Sequence, residues 1–168
     1  MKKLFSGQKL ANLNTLILAV ALIVTSWIFL SVFTPVFANP QQNRMIQLRQ
    51  TSQRWIEINL SKQRLIAWQG NTPVYAIVVS TGKPATPTPP GNFTIREKRP
   101  LDRMRGSNYD VPNVPYAMYY HQGYAIHGAY WHHQFGTPVS HGCTNVAPDH
   151  AEWLFNWASI GTPIVVHY

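Results

Sequence analysis

The sequence predicts one mostly β domain with a single helix, and a sandwich or a barrel fits this pattern. Short runs rich in β-branched and aromatic residues recur between turn residues from position 54 onward, which is typical of strands. Only one stretch has the period of an amphipathic helix. The 168 residues suffice for one domain with a short extension, and an apolar fraction of 45% is enough for a packed core.

Four strands are predicted in the first half of this domain. Residues 55–60 and 64–68 form two of them, and the polar residues 61–63 turn between them. Residues 74–80 are nearly all apolar, so we expect a strand that is buried on both faces. A proline-rich loop then leads to a strand over residues 92–96, where apolar and polar residues alternate.

The second half is predicted to begin with a long loop, residues 100–115, which contains glycine and proline. Loops of this length in compact domains are often functional. Residues 117–120 and 124–127 follow as two strands of a hairpin, which turns at Gln122–Gly123.

One helix is predicted near the C-terminus. It begins at Pro148 and Asp149, which are typical of a first helical turn, and Gly161 stops it. A last strand over residues 162–168 closes the domain. The apolar face of the helix has the spacing i, i+3, i+4, i+7 and consists of Ala151, Leu154, Phe155 and Ala158.

Residues 1–38 have the features of an export signal. Three lysines precede an uncharged apolar run over residues 16–33, and residues 36–38 offer small side chains to a signal peptidase. The run is also long enough to cross a bilayer, so an uncleaved membrane anchor is the alternative. Either would export the rest of the chain to the periplasm or the cell wall. Residues 39–53 are predicted to be a linker or a short helix before the domain over residues 54–168.

The formal net charge of the chain is +8 at pH 7. A basic surface favours an anionic partner such as nucleic acid, phospholipid or an anionic wall polymer. No nucleic-acid-binding motif is present, and the basic residues are scattered apart from a small cluster over residues 96–105. We therefore expect no nucleic-acid partner.

The chain contains one cysteine, Cys143, which excludes an intramolecular disulfide. A single cysteine in an exported protein is a reactive thiol or a partner for another chain, and a buried one is commonly a small core residue. A reactive thiol needs a base to become the nucleophilic thiolate. His127 and His141 are the two candidate bases. Backbone N–H groups around Gly142 and Cys143 could form an oxyanion hole.

A zinc site is the alternative use of these side chains. His127, His132, His133, His141 and Cys143 include the nitrogen and sulfur ligands that zinc prefers, but none of the usual ligand spacings is present. The side chains of His132 and His133 diverge because the two residues are adjacent. The sequence therefore favours thiol chemistry, and no metal is expected.

The segment between His127 and Asn145 resembles the signature of the L,D-transpeptidase family, whose catalytic domain is called YkuD-type. That signature is His-Gly, a variable insert, then Ser/Thr-His-Gly-Cys, any residue, and Arg or Asn. Residues 79–83, 88–93 and 161–166 also resemble parts of the family, so the resemblance covers roughly residues 54–167. In this chain the signature is His127-Gly128, an insert of eleven residues, and Ser140-His141-Gly142-Cys143-Thr144-Asn145.

The resemblance implies a mixed β-sandwich with one or two flanking helices and a peptidoglycan L,D-transpeptidase activity. Cys143 would attack a carbonyl of a stem peptide and form a thioester, which an amine of a neighbouring stem would convert into a cross-link of the cell wall. His127 would be the general base, and the carbonyl of Gly128 would orient its imidazole. No cofactor is implied, the partners are peptidoglycan stem peptides, and a monomer is expected.

Further positions are implied to support the site or to bind substrate. Ser140, His141 and Gly142 match supporting or oxyanion positions of the signature. Asn145 is a candidate for substrate binding, although it stands where many members have Arg. Arg103 and Arg105 in the predicted loop are candidates for stem-peptide carboxylates, since a guanidinium suits a carboxylate, and a solvated surface turn is the alternative.

Other functions of the same domain stay open. Water as acyl acceptor would make the protein an L,D-carboxypeptidase, and a wall-linked protein or a free D-amino acid could also accept the acyl group. A non-catalytic wall-binding module is a different class of function, but such a module would not need both Cys143 and His127.

We predict that the mature protein begins near Asn39, because residues 36–38 form a cleavage site and Pro40 follows it closely. Edman degradation or intact mass of the envelope-associated protein measures this. A protein that starts at Met1 would contradict cleavage and would indicate the membrane anchor.

Overall fold

The computed structural model of the chain describes residues 39–168, which form one compact unit. The predicted export signal, residues 1–38, lies outside the described residues. Within the described part, neither helix is both long and apolar enough to span a membrane. In chain order the elements are α1 (Pro40–Arg49), β1 (Arg54–Asn59), β2 (Arg64–Gln69), β3 (Thr72–Val78), β4 (Gly91–Thr94), β5 (Glu97–Gly106), β6 (Tyr109–His121), β7 (Tyr124–Gly128), β8 (Thr144–Val146), α2 (Pro148–Trp157) and β9 (Pro163–His167).

Two mixed sheets make up the architecture. The first has the strand order β3-β2-β1-β9-β4 and the second the order β5-β6-β7-β8. The pairs β1–β9 and β7–β8 are parallel, and the other pairs are antiparallel. This arrangement confirms the predicted mixed β-sandwich with flanking helices.

The core contains side chains from both sheets and from α2. Ile58 of β1, Ile126 of β7 and Leu154 of α2 are fully buried in one hydrophobic cluster. Burial of one such side chain contributes about 1.5–3 kcal/mol, so this cluster holds the two sheets together. The helix ends at Trp157, before the predicted Gly161. The Lys98 ammonium donates hydrogen bonds of 2.5 and 2.6 Å to the carbonyls of Phe155 and Ala158 at that end.

The prediction that residues 74–80 are buried on both faces is wrong. They contribute to β3, which is an edge strand of the first sheet. Val74 and Val78 are 39% and 54% exposed, whereas Ile77 is buried. An apolar run at a sheet edge has only one covered face, and the run itself does not reveal its place in the sheet.

The long loop predicted for residues 100–115 is also wrong, because β5 and β6 form a long antiparallel hairpin there. The prolines that suggested a loop are tolerated for a physical reason. β5 is an edge strand, and β6 pairs with β7 only from Met118 onward. Pro112 and Pro115 therefore lie where β6 has a single neighbouring strand. Proline is tolerated there because it has no N–H to donate and one side of the strand is unpaired.

Residues 39–53 contain the helix α1, one of the two alternatives for this segment. Its residues Met45 and Leu48 are buried against Trp55 and Val165 on the outer face of the first sheet. The side chain of Asn39 caps the helix by accepting a hydrogen bond of 3.0 Å from the N–H of Gln41.

We predict that Leu48→Ala lowers the free energy of unfolding by about 2–5 kcal/mol, because it leaves a cavity between α1 and the sheet. Ile46→Ala is the matched control, since Ile46 lies in the same helix and is 47% exposed. Denaturant unfolding of both variants measures the difference. Equal, small effects would show that α1 adds no stability to the domain.

Candidate active site

A cavity of about 390 Å³ is lined by the β5–β6 hairpin, by β7 and by the segment that leads to β8. Both His127 and Cys143 line it, and so do Ser140, His141 and Asn145. The structure thus brings five of the predicted site residues to one cavity.

The parallel register of β7 and β8 explains why the thiol and the imidazole share this cavity. His127 is the register partner of Asn145. Strand pairing therefore directs the side chains of His127 and Asn145 to one side of the sheet. Cys143 lies in the bend immediately before β8, and its thiol lines the same cavity.

The imidazole of His127 is buried, with 2% of the residue exposed. Its Nδ1 lies 3.1 Å from the carbonyl oxygen of Gly128. A carbonyl oxygen can only accept, so Nδ1 carries the proton and Nε2 is the free basic atom. Burial lowers the pKa of His127 to about 4, which keeps the imidazole neutral at physiological pH. The ring of Trp131 stacks on it with the centroids 5.7 Å apart.

Glycine is required at position 128 by close packing. A Cβ atom there would lie 2.7 Å from Cγ of Pro115 and 3.3 Å from Cα of Pro148. Any side chain would push β7 away from β6 and α2, and would displace the carbonyl that holds His127.

The backbone around Cys143 is held by three hydrogen bonds. The hydroxyl of Ser140 accepts from the N–H of Gly142 at 3.0 Å and donates to the carbonyl of Cys143 at 2.5 Å. The hydroxyl of Thr88 donates to the carbonyl of Gly142 at 2.7 Å. Gly142 has a φ of +119°, and a Cβ there would lie 2.6 Å from the ring of Tyr124. Only glycine fits this turn.

This arrangement separates the two predicted oxyanion donors. The N–H of Gly142 is already bonded to Ser140. The N–H of Cys143 has no acceptor within residues 39–168. Cys143 therefore offers the free backbone donor beside its own sulfur.

The thiol of half-buried Cys143 lies at the turn of the β6–β7 hairpin. Its Sγ is 3.7 Å from the carbonyl oxygen of Gly123. Burial raises the pKa of the thiol to about 11, and the N–H of Ala125 opposes this only in part. A neighbouring imidazolium would have lowered the thiol pKa, but His127 is uncharged. At rest the cavity therefore holds a neutral thiol and a neutral imidazole.

The second candidate base, His141, is exposed. Its ring lies 4.7 Å from the ring of Tyr109, and its Nε2 lies 3.5 Å from Nζ of Lys83. These contacts place His141 at the rim, below the tip of the β5–β6 hairpin. The phenol of Tyr130 also donates a hydrogen bond of 2.5 Å to the carbonyl of Pro112. The contacts Tyr109–His141 and Tyr130–Pro112 connect the β5–β6 hairpin to the segment between β7 and β8.

Arg103 and Arg105 lie on the exposed side of this hairpin. Arg103 forms a two-pronged ion pair with Asp110 at 2.7 and 2.8 Å, and Arg105 approaches the same carboxylate at 3.4 Å. Neither arginine is among the described residues that line the cavity. Their predicted contact with substrate stays a prediction.

Seven of the lining residues were not predicted as part of the catalytic site, and they include Tyr109, Trp131 and His132. Trp131 and His132 lie in the insert of the signature, where the run Tyr-Trp-His-His was a signal that could have been used. Tyr109 was hidden because its segment was predicted to be a loop. Among residues 39–168, no three His, Cys, Asp or Glu side chains converge in a metal-binding group.

Comparison with known proteins agrees with this geometry. The family model described as the L,D-transpeptidase catalytic domain, YkuD, matches residues 53–166. L,D-transpeptidase 1 of Mycobacterium tuberculosis is 34% identical over 99 residues, which are 52% of this chain and 39% of that protein. The chain thus spans well under half the length of this curated relative.

Solved structures show the same fold. The catalytic domain of an Enterococcus faecium L,D-transpeptidase, determined by NMR, has a TM-score of 0.63 at 30% identity, covering 70% of this chain and 98% of that chain. LD transpeptidase LdtMt1 in complex with imipenem has a TM-score of 0.64 at 28% identity, covering 68% of this chain and 58% of that chain. Signature, fold and family match lead to one conclusion: this chain belongs to the L,D-transpeptidase family with the YkuD-type catalytic domain.

Proposed function

We propose that the protein is a peptidoglycan L,D-transpeptidase that forms a thioester on Cys143. The observation that carries this proposal is the hydrogen bond between Nδ1 of His127 and the Gly128 carbonyl, 3.1 Å long, in the cavity that holds the thiol. It leaves Nε2 of a buried, neutral imidazole as the base. Membership in the family supports peptidoglycan stem peptides as substrates.

The first step is acylation of the thiol. Nε2 of His127 takes the proton from Sγ of Cys143 while Sγ bonds to the carbonyl carbon of an L-residue that a D-residue follows. The N–H of Cys143 donates to the oxyanion that develops. The bond to the D-residue then breaks, and the imidazolium returns its proton to the leaving amine. A thioester on Cys143 remains.

The second step transfers the acyl group. An amine of a neighbouring stem peptide gives its proton to Nε2 of His127 while its nitrogen bonds to the thioester carbon. The bond between that carbon and Sγ breaks, and the sulfur takes the proton back from the imidazolium. The product is a cross-link, and the starting site is restored. If water, a D-amino acid or a wall-linked protein is the acceptor, the same two proton transfers occur, from the acceptor to Nε2 of His127 and from Nε2 to the sulfur.

This chemistry would take place outside the cytoplasm, in the periplasm or the cell wall. The lysines and the apolar run of residues 1–38 support that location.

We predict that Cys143→Ala abolishes both cross-linking and the adduct that a carbapenem forms with the protein, because the only thiol is lost. His127→Ala should lower kcat about 10²–10⁴-fold, the usual effect of removing a general base. His133→Ala is the matched control, since His133 is exposed and does not line the cavity. Muropeptide analysis and intact mass measure the outcomes. Cross-linking by folded Cys143→Ala would contradict the proposal.

We also predict that Cys143 stays a thiol up to alkaline pH. A group is ionised above its pKa, so a value of about 11 leaves roughly one thiolate in 10⁴ molecules at pH 7. The ultraviolet absorbance of thiolate, taken as the difference between wild type and Cys143→Ser, should appear only as the pH rises above about 9. A midpoint near pH 6 would instead indicate a thiolate–imidazolium pair.

A further inference from the structure

Next to the catalytic pair, the side chains of His132 and Asn145 contact each other in the wall of the cavity. Nε2 of His132 lies 2.8 Å from the amide nitrogen Nδ2 of Asn145. Nδ1 of His132 accepts a hydrogen bond of 3.1 Å from the backbone N–H of Gln134. His132 is half-buried and Asn145 is 3% exposed, so the contact between these two side chains is partly shielded from water, whereas the contact with Gln134 is exposed.

The backbone contact determines the tautomer of His132. A backbone N–H can only donate, so Nδ1 of His132 must be the unprotonated nitrogen. A neutral imidazole then carries its proton on Nε2. Burial and the neighbouring charge of His133 both lower the pKa of His132, which favours this neutral form.

The tautomer in turn determines how the amide of Asn145 is turned. With the proton on Nε2 of His132, two donors would face each other at 2.8 Å, because Nδ2 of Asn145 is the atom placed there. The amide of Asn145 must therefore be turned by 180° about its Cβ–Cγ bond. The amide oxygen Oδ1 is the acceptor that Asn145 has, and amide oxygen and nitrogen are told apart by such partners. With Oδ1 toward His132, the NH₂ group of Asn145 takes the other position of the amide.

The backbone on both sides of this pair is fixed. Asn145 exchanges two hydrogen bonds with Ser80, of 2.8 and 2.9 Å, and is the register partner of His127. The hydroxyl of Ser80 donates to the carbonyl of Gln134 at 2.7 Å, which anchors the segment that carries His132. The backbone of Asn145 is therefore held in the cavity wall, in register with His127 on the neighbouring strand.

We propose that His132 is a positioning residue that turns Asn145 so that its NH₂ group donates a hydrogen bond to a carbonyl or carboxylate oxygen of the bound stem peptide. The substrate in this inference rests on the proposed function, whereas the tautomer of His132 does not. An Arg at position 145 would present only donors, whereas the amide of Asn145 can present either its oxygen or its NH₂ group to the substrate. Asn145 therefore needs a neighbour that excludes the orientation with the oxygen toward the substrate. His132 is that neighbour in this chain.

The direct test is the imidazole nitrogen spectrum of the ¹⁵N-labelled domain without substrate. Long-range ¹H–¹⁵N correlations identify which nitrogen of His132 carries the proton. We expect Nε2 to be protonated and Nδ1 to be bare at neutral pH. A proton on Nδ1 would overturn the inference, because Nε2 would then accept from Asn145 and no donor would face the substrate.

Kinetics with a stem tetrapeptide test the consequence. Asn145→Asp keeps the acceptor for His132 but loses the donor, so KM should rise about 3–10-fold, as for one lost hydrogen bond, while kcat stays within about twofold. His132→Leu should have a similar effect, and His132→Gln should restore most of the affinity because its amide can donate to Oδ1. His133→Gln is the control and should leave KM unchanged.

These results distinguish the two proposals. An inactive wild-type protein with Nε2 of His132 protonated would contradict the proposed function and leave the orientation of Asn145 standing. An active protein in which His132→Leu and His132→Gln have the same KM as wild type would contradict the role of His132 and leave the transpeptidase standing.

Discussion

The hydrogen bond from Nδ1 of His127 to the carbonyl of Gly128 is the interaction on which the rest of the site depends. It exists because position 128 has no side chain and packs directly against Pro115 and Pro148. It assigns the single proton of a buried imidazole to one nitrogen and leaves the other nitrogen free for the thiol. Strand pairing between β7 and β8 then brings Cys143 to the same cavity.

Burial determines the resting state of this pair. It lowers the pKa of His127 to about 4 and raises that of Cys143 to about 11, and both directions favour the uncharged forms. In the proposed mechanism, the thiol is uncharged at rest and needs the base at the moment of attack. A carbonyl substrate in the cavity would make that proton transfer productive, because the free N–H of Cys143 can donate a hydrogen bond to the developing oxyanion.

Local patterns predicted much of the fold. The strands β1 and β2, the hairpin turn at Gln122–Gly123 and the helix α2 carry their own periodicity or turn residues. The exposure of β3 and the pairing of β5 with β6 depend on what lies beside them, which no local pattern contains. The same holds for the site. The signature identified Cys143 and His127 as candidates, but the direction of their pKa shifts depends on burial. The contact between His132 and Asn145 depends on how the insert between Gly128 and Ser140 folds back onto β8.

Single-turnover acylation of the protein by a carbapenem between pH 3.5 and pH 10 is the most direct test of the central claim, that neutral His127 activates a neutral thiol. If it is correct, the acylation rate falls at low pH with a midpoint near 4, as His127 becomes protonated, and is flat from about pH 5 to pH 8. A rate that climbs tenfold per pH unit across that range, in proportion to free thiolate, would contradict it.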